Sequence, residues 1–159
     1  MKSIFSFSAI LFLFFIGISC SNSDDNNSTP TPTPTPVITT FAATLTPPAG
    51  VTSSASGSAA LTLNQTAKTF SITVNYTGLT PNAGHIHNAT GGIEIPFTNV
   101  STSPFTVSGS ITDAQMTELL ANHYYVNLHT TAYPNGEISG TLMKTGTSGG
   151  GGGGGGGGY

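Results

Sequence analysis

His85 and His87 stand two residues apart in Gly84-His85-Ile86-His87, and His129 ends the run Tyr125-Val126-Asn127-Leu128-His129. Neutral imidazole is a ligand for Zn(II) and Cu(II). Thiolate ligation is closed to the folded part, because the one cysteine is Cys20, near the N-terminus. On a strand, residues two apart share a face. His85 and His87 then point one way, and Ile86 points into the core. In the second run Tyr124, Val126 and Leu128 form the apolar face, which sends His123, Tyr125, Asn127 and His129 to the other side. Downstream, Ile138 and Leu142 face the core and Glu137 lies opposite. If these strands are neighbours, His85, His87, His129 and Glu137 collect on one sheet face. Three imidazoles and a carboxylate make a candidate Zn or Cu site. The same residues also fit a plain framework role, hydrogen-bonding loops to strands, and spacing leaves both readings open. His123 directly follows a helix and reads as a surface residue or a partner of the helix dipole.

Other chemistries find little support. Asp113 is the sole Asp of the folded part and falls in the first turn of that helix, where a negative charge favours the dipole. Glu94, Glu118 and Glu137 are dispersed, so neither a Ser-His-Asp triad nor a carboxylate pair can be assembled from them. The glycine run near the C-terminus has no following Lys or helix and is no phosphate loop. No catalytic residue is assigned.

The elements that must carry the histidines show period two. Phe70, Ile72, Val74 and Tyr76 alternate with polar residues, as do Phe41, Ala43 and Leu45, and Ala59, Leu61 and Leu63. Further strands are expected near 83–89, 93–98, 105–111, 123–130 and 137–143. Between them lie turn residues such as Gly91-Gly92 and Tyr133-Pro134-Asn135-Gly136. Asn135-Gly136 tolerates positive φ and is expected to close a hairpin between the last two strands. One helix interrupts the strands. Thr112 caps it, Gln115 completes a capping box, and Ile111 and Met116 form the staple across the cap. The expected fold is all-β: an antiparallel β-sandwich, immunoglobulin-like or superoxide-dismutase-like, with one short helix before the penultimate strand.

The ends read differently. Residues 1–19 have the form of a signal peptide, with Lys2 ahead of an apolar run from Ile4 to Ile18. That run is shorter than the roughly 20 residues of a spanning helix. It ends in Gly17-Ile18-Ser19-Cys20, which resembles a bacterial lipobox and makes Cys20 the expected lipidation site. Residues 20–36 then form a tether, closing on four Thr-Pro pairs that favour extended polyproline II. The domain is expected over 37–145, and residues 146–159 as a disordered Gly-rich tail.

Composition limits the partners. Only 6% of the 159 residues are charged, the formal net charge is -3, and there is no Trp. The three basic residues are all Lys. Nucleic acid, which needs a basic face, is excluded as a partner. An anionic-lipid surface binder would likewise need a Lys/Arg cluster. The membrane is instead expected as a partner through the N-terminal lipid.

Taken together, His85-Ile86-His87, Tyr125-Val126-Asn127-Leu128-His129-Thr130 and Tyr133-Pro134-Asn135-Gly136-Glu137-Ile138-Ser139-Gly140-Thr141-Leu142 resemble the CHRD (chordin-type) domain. Phe41-Ala42-Ala43-Thr44-Leu45 with Pro47-Pro48, and Ser56-Gly57 before Ala59, match the family's opening. Ser139 is a departure, since the family commonly has Arg there. The family occurs in animal chordins, which antagonise growth factors, and in bacterial secreted proteins and lipoproteins. The resemblance implies an extracytoplasmic β-domain. The His-x-His pair is also similar in motif to copper/zinc superoxide dismutases, though not in length or in the remaining ligands. The expected role is a non-catalytic cell-envelope or surface binding or structural module, lipid-anchored, with a protein or glycan as partner. The alternative is a Cu- or Zn-binding sandwich with redox or dismutase-like activity.

Overall fold

The computed structural model describes residues 33–150. Cys20, the signal segment, most of the tether and the glycines beyond 150 lie outside the described residues. Nine strands and one helix follow in the order β1 (Ile38–Leu45), β2 (Ser56–Asn64), β3 (Thr69–Thr77), β4 (Ala83–His87), β5 (Ile93–Pro96), β6 (Phe105–Ser110), α1 (Asp113–Leu120), β7 (Tyr125–His129), β8 (Ile138–Thr141) and β9 (Met143–Ser148). They form two antiparallel sheets, β6-β3-β2-β1-β9 and β5-β4-β7-β8. The two are joined where Thr46, just past β1, exchanges backbone hydrogen bonds with Ser139 of β8.

Alternation builds the core. In β1 to β3 every second residue is buried, so Phe41, Leu45, Leu61, Leu63, Ile72 and Val74 project from one sheet. Ile86, Val126, Leu128 and Ile138 meet them from the other, each fully buried. Burying one such side chain is worth about 1.5–3 kcal/mol, which makes the register of each strand costly to shift. The helix forms as its sequence dictates. Thr112 Oγ1 accepts the Gln115 N–H at 3.2 Å, and Gln115 Oε1 accepts the Thr112 N–H at 3.1 Å. Leu119 anchors α1 in the core. Among the described residues no helix is long and apolar enough to cross a membrane.

Two boundaries differ from expectation. The run expected as one strand over 137–143 divides at Leu142: β8 ends in one sheet and β9 begins in the other. Leu142 is fully buried at the crossing, and its N–H donates to Tyr124 at 2.9 Å. The domain also runs past residue 145. Gly146, Thr147 and Ser148, expected in the disordered tail, pair with Thr40, Thr39 and Ile38 of β1. Every residue of β9 is exposed, so no alternation marks it. It is an edge strand held by backbone bonds and by hydroxyl pairs, Thr39 with Thr147 at 3.0 Å and Thr40 with Thr145 at 2.9 Å.

Candidate metal centre

The site is built on the outer face of β4 and β7. Their antiparallel register sets Ala83 opposite His129, His85 opposite Asn127 and His87 opposite Tyr125. Because Ile86, Val126 and Leu128 point into the core, the histidines are forced outward. They are not left in water. His87 is 6% exposed and His129 9%, while His85 is half-buried.

Two loops supply the cover. One is the turn Asn88–Gly92, in which Asn88 Oδ1 accepts the N–H groups of Thr90 and Gly92 at 3.1 and 2.8 Å. That turn delivers the Gly91 carbonyl to His87 Nδ1 at 2.9 Å. Glu94 holds the turn in place by accepting from Asn88 Nδ2 at 2.8 Å. The same carboxylate bonds Tyr124, whose phenol is pushed up to about 12 by burial first, then by the charge and hydrogen bond of Glu94. The second cover is the β7–β8 loop. Its reverse turn from Tyr133 to Gly136 sets the Pro134 carbonyl 2.9 Å from His129 Nδ1. The hairpin expected at Asn135-Gly136 therefore forms as part of a longer loop, with positive φ at Gly136.

A backbone carbonyl only accepts, so Nδ1 of His87 and of His129 must carry the proton. In the neutral rings Nε2 is then a bare lone pair. These two Nε2 atoms face each other at 3.4 Å, and His85 Nδ1 lies 3.1 Å from His129 Nε2. All three ligand nitrogens fall within 4.8 Å of one another. Nitrogens each about 2.0–2.1 Å from a tetrahedral ion stand roughly 3.3 Å apart, a spacing that the 3.1 and 3.4 Å pairs match. The outward Nδ1–H to carbonyl bonds are the arrangement that orients metal-binding imidazoles. His85 and His129 both have lowered pKa values. For His85 the causes are burial, then the neighbouring His129 and His87; for His129 burial lowers the value, the Pro134 hydrogen bond partly opposes it, and His87 lowers it further. Protons are thus disfavoured where the lone pairs meet. His87 is further steadied by Tyr125, stacked on it at 5.2 Å between ring centres.

Glu137 does not join them. Expected as a fourth ligand or as a partner orienting an imidazole, it is 8% exposed and stands outside the histidine group. Ser53 Oγ donates to its Oε1 at 2.7 Å and Thr130 Oγ1 to its Oε2 at 2.7 Å. Two hydroxyl donors offset the cost of burying the carboxylate. Its side chain lines a separate cavity of about 650 Å³ beside Thr80, Thr130 and Thr131. His123 is exposed and pairs with Glu118 at 2.8 Å, as its place after the helix implies.

The sequence profile of the CHRD domain matches residues 41–142. The chain belongs to the CHRD domain family. The matched span runs from Phe41 in β1 to Leu142 at the sheet crossing, so the CHRD domain holds all three histidines and both covering loops. No curated protein and no solved structure matches the chain significantly. Missing from the residue pattern were the carbonyls of Gly91 and Pro134. Both belong to turns that Gly91-Gly92 and Tyr133-Pro134-Asn135-Gly136 signal, but a turn residue does not declare which side chain its carbonyl will meet.

Proposed function

We propose that this CHRD domain is an extracytoplasmic, non-catalytic module, anchored through lipid on Cys20, that holds one Zn(II) or Cu(II) ion on His85, His87 and His129. The observation that carries the metal assignment is the meeting of three imidazole nitrogens, two of them with tautomers set by backbone carbonyls. Three neutral imidazoles without thiolate suit Zn(II) or Cu(II) rather than Mg(II) or Ca(II), which prefer oxygen. The ion would cross-link β4, β7 and the two loops that cover them, leaving the rest of the envelope-facing surface for a protein or glycan partner.

Metal analysis of tag-free protein is expected to find about one equivalent of Zn or Cu. His87→Ala should lose it, and His123→Ala should keep it. Tag-free protein that takes up neither ion, even when supplied, would remove the metal from the reading and leave the histidines as framework residues.

The anchor rests on the position of Cys20 after the apolar run. Cys20→Ser should move the protein from the membrane fraction to the soluble one, or leave it with its signal segment uncleaved. Unchanged membrane partitioning with normal cleavage would refute the lipid anchor.

A further inference from the structure

The ligand set has a charge imbalance. Three neutral imidazoles contribute no charge, so a divalent ion brings +2 into a site whose His87 and His129 are buried. Among the described residues no Asp, Glu, Cys or further His joins the three. The other polar side chains nearby are placed elsewhere. Glu137 accepts from Ser53 and Thr130. The Tyr125 hydroxyl lies beside Gly91, whose carbonyl takes the Nδ1 edge of His87, away from Nε2. Asn127 Nδ2 donates to the Asn135 carbonyl at 3.0 Å, and its Oδ1, buried without a hydrogen-bond partner, is packed against Gly136 rather than grouped with the imidazoles. A tetrahedral ion therefore lacks a fourth protein ligand, and an uncompensated buried charge favours an anion there. The burial is uneven: His85 alone is half-buried, so a small ligand can approach on its side. Three protein ligands and one open position also distinguish reactive metal sites from closed structural ones.

Resting on the metal reading above, we propose that the ion held by His85, His87 and His129 keeps one position for a small exogenous anion, with water as the exchangeable occupant. A domain of this kind would recognise small anionic ligands by direct coordination rather than by a basic patch, which its composition lacks.

The test uses the full tag-free chain loaded with Co(II), a visible probe of coordination in sites of this type. The Co(II) form should show an intense visible band, and sodium azide should shift it in a saturable way. His123→Gln should preserve both the band and the shift, because His123 sits with Glu118 at an exposed position away from the triad. A band that azide leaves unchanged would overturn the open position while sparing the metal site. Absence of any band, or an azide-sensitive band lost with His123→Gln, would overturn both readings together.

Discussion

Excess Zn(II) or Cu(II), added at pH 7.5 to protein stripped of metal, should raise the melting temperature on the order of 10 °C, and His129→Ala should abolish the rise. An ion present at about 100 times its Kd adds about 2.7 kcal/mol to a fold that binds it only when native. For a domain of around 100 residues each kcal/mol moves the midpoint by roughly 4–8 °C. His129 is chosen because its Nε2 lies at 3.1 Å from His85 Nδ1 and 3.4 Å from His87 Nε2, so it takes part in both of the close nitrogen pairs. A framework role alone predicts a different pattern: His129→Ala would lose its bond to Pro134 and melt lower by the same amount with or without metal. The pH dependence has a definite sign. Burial is the leading cause that lowers the pKa of both His85 and His129. In the unfolded chain they titrate near the ordinary value of about 6.5. Below that pH the unfolded chain binds more protons than the folded one. The metal-free protein therefore loses stability as pH falls from about 6.5 through the depressed folded values, and gains nothing from these groups above it. The metal-induced gain shrinks over the same range, since protons compete for the ligand lone pairs. Melting curves from pH 5 to 8, with ion and with chelator, measure both effects, and a wild type with no metal-dependent shift at neutral pH would end the metal assignment.

Strand register was what the residue pattern expressed best, and the reason is energetic. Ile86, Val126, Leu128 and Ile138 are fully buried, and slipping any of their strands by one residue would expose that apolar set. The outward placement of His85, His87 and His129 follows from the same alternation. The position of the helix was legible from a different signal, the capping box of Thr112 and Gln115. What alternation cannot convey is the direction of a long side chain after it leaves the sheet. Glu137 has the parity expected of a ligand, but Ser53, which is far away in the chain, reaches it from the loop between β1 and β2. β9 was equally hidden. Its side chains contact solvent throughout, so its pairing with β1 is written in backbone geometry rather than in hydrophobic period.

Gly136→Ala should cost on the order of 3 kcal/mol of stability and weaken metal uptake by about 10–100-fold, although residue 136 offers no ligand atom. Gly136 has φ +117°, a backbone conformation that L side chains rarely adopt. A Cβ there would also run into the Asn127 amide. Asn127 has little freedom to retreat. It is 6% exposed, and its strand pairs on both sides, with His85 across one edge and Ser139 across the other. The loop must give way instead. Lifting it draws the Asn135 carbonyl from Asn127 Nδ2 and the Pro134 carbonyl from His129 Nδ1. Without Pro134 the His129 ring can take the other tautomer, placing its proton on the nitrogen that faces His85 and His87. The affinity loss thus comes from orientation, not from removal of a donor. Asn127→Gly in the same chain opens the space that the new methyl group needs, so the double variant should recover part of the affinity lost by Gly136→Ala. The strained φ remains, so stability should recover less. Calorimetric titration of Zn(II) into the two variants and the wild type separates the contributions. Wild-type affinity in Gly136→Ala would show that the loop carbonyl does not position His129.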